Sequence, residues 1–574
     1  MTLVTDTPLK LAQPEDAHQR ADWEAATAAV LRKSGRLAED DADTLVWDRL
    51  TRRTLDGIAV TPIGTPADLE ALRTSGRPTR AGAWDIRAHY GKAEAGVLNE
   101  HALVDLDGGV TSLWVETADG SDLSTLLDRV LLDLAPVVLT SPQPVPAAQA
   151  LLAHLDAAGV DPHPATNLGA DVGTAAESDL VAIARLAADH GVLGIVADAT
   201  EVHDRGASDV QELAWSLVLG VRALRALADA GVGAEQASRF IEFRYAATDE
   251  QFPSIAKLRA ARRLWARVLE LSGVAGVPQR QHVVTSRPML TKYDPYVNML
   301  RTTVAAFAAG VGGADAVTVL PFDSPLGQPD AFGRRIARNL SHLLIDESHV
   351  AKVADPAGGS YAVEKLTDDL AVAAWELFGR LDAGETIDPL IDDVVARREA
   401  EIARRKRPIT GLSEFPNLTE VLPERAAPDG VGADHEVRRY GASFEALRDT
   451  PAQEPVFLAT LGTIAQHTAR ATFASNLFAA GGIAVEAAGP TSGVAELVAA
   501  YDGQRVACLT GTDAAYQDWG AEAAAALREA GVQHLIIAGK ATEYVDDAAA
   551  TGVDALAFLR RTRALLGASG GDES

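Results

Sequence analysis

Cys508 is the only cysteine, so the chain can build neither an internal disulfide nor a thiolate metal cluster, and imidazoles and carboxylates are left as possible ligands and proton carriers. His467 is the one weak metal-ligand candidate. It stands in Ala465-Gln466-His467-Thr468-Ala469-Arg470, shortly after the apolar run Val456-Phe457-Leu458-Ala459-Thr460. A lone histidine near a strand end is more often a packing residue than a ligand. Cations gather at Lys257, Arg259, Arg262, Arg263 and Arg267, and again at Arg335 and Arg338 beside Asn339, where phosphate contact is the chemistry open to them. In the first group Leu258, Ala261, Leu264 and Trp265 mark one apolar helical face. Packing is the plainer reading, with the cations on the solvent side or paired with acidic neighbours. The stretch Asp355-Pro356-Ala357-Gly358-Gly359 pre-sets a tight bend.

The elements that must position these groups follow a clear order. From about Asp22 to Thr51 apolar residues recur at helical spacing, then Gly57, Pro62, Gly64, Pro66, Gly76 and Pro78 favour an extended, turn-rich segment. Residues 1–83 are therefore expected to form a helical arm and extended segment that makes subunit contacts. From 84 to 407, buried apolar runs such as Val137-Val138-Leu139, Leu193 to Ala197, Ile241-Glu242-Phe243 and Ala316 to Leu320 alternate with helical stretches such as Val210 to Ala230 and Ile255 to Leu271. This pattern implies a parallel sheet reached by right-handed crossovers, and its length fits one closed (β/α)8 TIM barrel better than two open sheets. Arg404 to Arg407 followed by Pro408 reads as a helix end. Residues 408–454, with Pro416, Pro423, Pro428 and Pro451, read as a linker. From 455 to 574, strands are expected at Val456 to Thr460, Ile483 to Val485, Val506 to Leu509 and His534 to Ala538, with a helix over Thr468 to Ala480. A fifth strand is presumed, giving a doubly wound, flavodoxin-like domain. The fold class is α/β.

Composition closes several routes. The 574 residues are 47% hydrophobic and 23% charged, enough for two or three cored domains. A formal net charge of -28 excludes nucleic acid as a partner, because that binding needs Lys and Arg to displace counterions. The polar stretch Met1 to Arg20 and the lack of a long apolar run predict no signal peptide, no membrane anchor and a cytoplasmic protein.

Several local stretches together resemble methylmalonyl-CoA mutases. These are Trp84-Asp85-Ile86-Arg87 followed by Gly91, Ile255 to Ala266, Arg335-Ile336-Ala337-Arg338-Asn339, and Asp355 to Tyr361 followed by Val363-Glu364. They are collinear with the family and span nearly the whole chain. The resemblance implies a barrel through whose centre a coenzyme A ester threads, followed by a cobalamin-binding-type domain.

The same resemblance exposes what is missing. Catalytic members carry Asp-x-His-x-x-Gly in the loop after the first strand of the second domain: histidine ligates cobalt, aspartate supports its other nitrogen, and glycine admits the cofactor's nucleotide tail. Here the aspartate position is Ala465 and the glycine position Arg470, around the surviving His467. The family's Ser-x-Leu has become Leu509-Thr510-Gly511, and its Gly-Gly has become Gly539-Lys540. In the barrel a catalytic tyrosine aligns with His89, next to Tyr90. A Tyr-His pair aligns with Thr200-Glu201, leaving His203 two residues off register and on a different bearing. The Thr-His-Ser-Gln-Thr-Ser-Gly stretch reads Gln281-His282-Val283-Val284-Thr285-Ser286-Arg287, so glutamine is replaced by Val284 and glycine by Arg287. Such exchanges narrow a channel and remove positioning hydrogen bonds.

The resemblance thus implies a degenerate substrate site at His89, Glu201, His282, Val284 and Arg287, in a barrel that is blocked or empty. It implies no cofactor, metal or catalytic residue on this chain. Adenosylcobalamin and turnover of coenzyme A esters fall to a large catalytic subunit in a heterodimer, whose reaction is the radical isomerisation of (R)-methylmalonyl-CoA and succinyl-CoA. Two other readings stay open: an independently active mutase using His467, and a regulatory protein that binds a coenzyme A ester in its barrel.

Overall fold

Eight parallel strands close into a barrel in the computed structural model, which describes residues 17–70, 72, 80–91, 93–427 and 436–568. The strands are β1 (Asp85–Tyr90), β2 (Ser112–Glu116), β3 (Val137–Thr140), β4 (Asn167–Asp171), β5 (Leu193–Asp198), β6 (Ile241–Ala247), β7 (Arg280–Thr285) and β8 (Ala316–Thr318). Neighbours in sequence are neighbours in the sheet, and β8 closes against β1 through Ala316 beside Asp85. Helices fill the connections, among them α1 (Ala95–Asp107), α2 (Asp209–Asp229), α3 (Gln251–Leu271), α4 (Ala331–His342) and α5 (Tyr361–Asp382). Ser208 caps α2 with Gln211 in a reciprocal capping box, a local signal for where that helix starts.

Side-chain alternation sorts the barrel wall. Outward residues such as Leu113, Val115, Phe243 and Tyr245 are buried under the helices. Inward ones are polar: Arg87 on β1 donates to Glu242 on β6 at 2.8 Å. These strands are not neighbours, so the bond crosses the barrel interior. A buried arginine is tolerable only when its donors are matched, and Asp85 and Ser112 take the remaining contacts.

A second, all-parallel sheet contains β9 (Val456–Thr460), β10 (Val485–Ala487), β11 (Val506–Thr510), β12 (His534–Ala538) and β13 (Asp547–Ala549), in the order β10-β9-β11-β12-β13. It has one apolar core on each face. Helix α6 (Ile464–Ala480) follows β9. The helix Ala442–Asp449 joins this part to the barrel: Arg448 donates to the carbonyl oxygens of Gly411 and Asn417, and Glu445 accepts from the Lys292 amide.

Several expectations need correction. The N-terminal helical stretch is Arg20–Lys33, a turn, then a short helix Val46–Leu50, because Gly35 takes φ +68° and ends the first helix. These pieces share a small core of their own, built on Ala28, Leu31 and Val46 with Trp23 and Trp47. The following segment contains a two-stranded hairpin, Arg52–Arg53 with Ala59–Val60, and the short helix Ala67–Glu70. The 408–454 stretch, read as a linker, includes the Ala442–Asp449 helix. The strand at Ala316 stops at Thr318, and the one expected at 483–485 runs Val485–Ala487. The N-terminal leader to residue 16, most of 71–79 with Gly76 and Pro78, and Pro428 lie outside the described residues. Among those described, no helix is long and apolar enough to cross a membrane.

Lys257, Arg259, Arg263 and Arg267 of α3 are paired with carboxylates as expected, but Lys257 and Arg262 are not on the solvent side. Lys257 is fully buried between Asp209 and Glu212 at 2.9 and 2.6 Å. Arg262 is buried on Gln281 and the Gly312 carbonyl. Arg259 holds Asp355 and Glu364, which ties the predicted bend to α5. Arg405, in the run that ends a helix at Ala403, reaches Glu414.

Candidate functional site

Two places gather the residues singled out by sequence: the barrel interior and the carboxyl ends of β9, β11 and β12. In the barrel the centre is occupied by Trp114 of β2. Its ring packs against His89 at a centroid distance of 4.2 Å, takes the Arg244 guanidinium on its face at 4.0 Å, and meets His282 edge-on at 5.4 Å. Its indole N–H donates to Thr140 at 2.9 Å. Stacking a guanidinium on an indole away from water is among the stronger cation–π arrangements. The group thus locks strands β1, β2, β3, β6 and β7 together.

His282 is wholly buried. Arg244 Nε donates to its Nδ1 at 3.1 Å, so the neutral ring carries its hydrogen on Nε2, 2.8 Å from Thr318 Oγ1. Burial, then the charges of Arg87 and Arg244, hold its pKa well below the usual imidazole range. A neutral histidine fixed at both nitrogens has no hydrogen bond to offer a thioester carbonyl. Arg244 also donates to Asp198 at 2.6 Å. Asp171 is pushed up to about 7 by burial and then by the nearby Asp198 charge, while Asp198 is held below the usual range by Arg244 despite its burial.

The remaining barrel positions are divided among other tasks. His89 meets Glu116 at 2.9 Å, while the adjacent Tyr90 points outward to Asp105. Val284 is buried and Arg287 pairs with Asp204 at 3.0 Å. Glu201 lies on the short helix Thr200–Asp204, with a carboxylate oxygen near Gly173. The structure does not bring it to His282.

His203, expected on a different bearing from the family's histidine, has its Nε2 2.8 Å from Ser286 Oγ at the end of β7 and its Nδ1 3.3 Å from Glu212. The order serine, histidine, glutamate has the outline of a nucleophile triad. Ser286 is only 1% exposed, however, and Glu212 is committed to Lys257 and to the Ala246 amide. An external ester cannot reach that hydroxyl, so the arrangement ties the β7 end to α2. Neither Ser286 nor Lys257 was singled out for this from sequence, and the mostly polar stretch Asp204 to Gln211 between His203 and Glu212 carries no local signal of it.

At the second sheet, the segment expected as a loop is helical from Ile464 onward. Thr463 caps it, with Gln466 Oε1 accepting from the Thr463 amide at 2.8 Å, a contact worth about 1 kcal/mol. Ala465 is exposed on the first turn. His467 is buried and its Nδ1 approaches the Gly462 carbonyl at 3.3 Å. Arg470 donates to the Gly511 carbonyl at 2.9 Å and to Asp513 at 2.5 Å, crossing the ends of β9 and β11. Beneath it, 4.9 Å from guanidinium to ring, lies Tyr516. This residue was missed from sequence. Its hydroxyl reaches the Leu509 and Ala538 carbonyls at 3.0 and 2.9 Å, and the Gly511 amide donates to it at 3.1 Å. Tyr516 therefore stitches β11 to β12 where Thr510 and Gly539 stand. Gly539 has φ +151° and faces the Arg470 guanidinium, and Lys540 is exposed next to it.

Residues 190–503 match the family model described as methylmalonyl-CoA mutase. A Streptomyces virginiae protein named methylmalonyl-CoA mutase small subunit is 44% identical, covering 99% of this chain and 100% of its own. A protein of the same name from Propionibacterium freudenreichii subsp. shermanii is 36% identical over 98% and 97% of the two chains. A Mycobacterium tuberculosis protein named probable methylmalonyl-CoA mutase small subunit is 39% identical over 91% and 94%.

Proposed function

The chain belongs to the methylmalonyl-CoA mutase family, and we propose that it is the non-catalytic small subunit of a two-chain enzyme. Its partner is a large subunit that binds adenosylcobalamin and isomerises (R)-methylmalonyl-CoA and succinyl-CoA. On this reading, 1–83 is a contact arm, 84–407 a mutase-type barrel, 408–454 a linker, and 455–574 a degenerate cobalamin-type domain. The sheet order β10-β9-β11-β12-β13 supports a flavodoxin-like description of the last part. The single cysteine suits a reducing cytoplasm.

The observation that carries the reading is the Arg470–Tyr516 pair. In the family's motif a carboxylate supports the second nitrogen of the cobalt-ligating histidine, and an open groove takes the cofactor's tail. Ala465 supplies no carboxylate, so His467 Nδ1 has the Gly462 carbonyl at 3.3 Å in its place, and the residues across the strand ends are arginine and tyrosine hydrogen-bonded to the backbone there. These residues do not fit the group. In the barrel, Trp114 in its cage of His89, Arg244 and His282 leaves the axis to protein side chains rather than to a thioester. The coenzyme A ester and the radical chemistry accordingly belong to the partner chain, and this chain contributes folded surface.

The test is co-expression of this chain, tagged, with a mutase large subunit. Recovery of a stoichiometric complex whose activity or thermal stability falls when this chain is withdrawn supports the proposal. A large subunit that is neither captured nor altered refutes it.

A further inference from the structure

A cleft of about 440 Å³ lies at the seam where β8 closes on β1, beside the helices α1 and α4. It reaches both sides of that seam: the outward-facing Ile86, Tyr90 and Val317 line it, and so do the inward-facing Arg87, His89, Glu116 and Thr318. Leu98, Val110, Val317 and Val319 give it an apolar floor. Its wall carries the cations Arg87, Arg287, Arg334, Arg338 and Arg439, with His101, against the carboxylates Asp105 and Glu116; Arg87 is matched by Asp85 and Glu242. In a chain of net charge -28 a local surplus of this sign runs against the composition.

The surplus can be located. Arg287 is balanced by Asp204, and Arg439 by Glu445. Among the described residues Asp105 is the carboxylate paired with both Arg334 and Arg338, at 3.8 and 2.7 Å, and it also accepts from Tyr90. One carboxylate thus serves two guanidinium groups. Among the described residues the buried Nε atoms of both arginines have no hydrogen-bond partner; that of Arg338 packs against Gly108, which leaves the Arg334 Nε as the open donor. Buried donors left unmatched are rare in folded proteins, and they mark places where a further acceptor belongs. An apolar pocket of this size with a few convergent polar groups has the usual make-up of a small-molecule site.

We propose that this cleft binds a small organic anion, a carboxylate or phosphate monoester with an apolar body, whose charged end sits against Arg334 and Arg338 and whose body lies on Leu98, Val110 and Val319. The site takes the anion's charged end on the α4 side of the seam, beside the degenerate substrate site at His89 and Arg287, and its binding is tested independently of the subunit role argued above. Its position between α1 and α4, the helices that follow the first and last barrel strands, gives an occupant a hold on the barrel's closing seam.

The experiment is titration calorimetry of the full chain with phenyl phosphate and with hexanoate, using phenol and hexan-1-ol as uncharged controls. Saturable binding of at least one anion, absent for the matching alcohol, is expected. Arg334→Gln should weaken it by roughly tenfold or more, since hydrogen bonds to charged groups are worth that much, Arg334→Lys should restore part of it, and Arg335→Gln, exposed on the same helix, should leave it unchanged. If Arg334→Gln does not fold, Arg338→Gln replaces it. The proposal is overturned if neither anion binds, if anions and alcohols bind alike, or if binding survives undiminished in the folded variants.

Discussion

Trp114 and Arg244 stack 4.0 Å apart, ring centroid to guanidinium carbon, on the axis of the barrel. They come from β2 and β6, so the contact ties nonadjacent strands through the middle of the fold. Trp114→Ala would empty that middle and expose the Arg244 charge to a void. A loss of about 3–5 kcal/mol is expected, read from urea unfolding. Trp114→Phe, which keeps the ring face and gives up the bond to Thr140, should lose far less. Equal stability of Trp114→Ala and the parent chain would contradict the packing described.

Lys257 is the second internal keystone. Replacing it with methionine leaves Glu212 and Asp209 facing each other without their cation, so Lys257→Met should destabilise the chain by about 3–5 kcal/mol. Adding Glu212→Gln removes one of the stranded charges and should return more than half of that. A double variant no more stable than the single one would show that packing, not charge, dominates there.

Asp171 makes stability depend on pH in a direction opposite to the ordinary carboxylate. Its folded pKa, about 7, lies above the usual value of 3.8, so between those two values the folded state holds a proton that the unfolded chain has released. Stability contributed by this group is therefore present below about pH 4, falls as pH rises to about 7, and is flat beyond. Asp171→Asn should abolish that decline and raise stability at pH 8 by about 1–3 kcal/mol. Melting temperatures of parent and variant from pH 5 to 8 check this: parallel profiles would count against it.

Much of this architecture can be read from the chain itself, because β5 and β6 are apolar runs and their intervening helix carries a capping box at Ser208. The barrel's inward polar residues are harder to read. Arg87 and Glu242 pair across 155 positions of sequence, and no local pattern announces such a bond. At the second sheet, Ala465 and Arg470 stand out by comparison with a ligand motif, whereas Tyr516 does not: it lies in a single wide helical turn, Tyr516–Gly520, and only the folded chain brings its hydroxyl to Leu509 and Ala538. Apolar spacing carries the N-terminal helical reading from Asp22 to Thr51; Gly35, whose positive φ redirects the chain, decides otherwise.

The most direct measurement is to purify this chain alone, incubate it with excess adenosylcobalamin, remove free cofactor by gel filtration, and record the visible spectrum of the protein peak. With Arg470 and Tyr516 bonded across the strand ends, the peak should be colourless, and Arg470→Gly should leave it so because Tyr516 and Ala465 remain. A corrin spectrum at one equivalent per chain, with the imidazole of His467 on cobalt, would contradict the account.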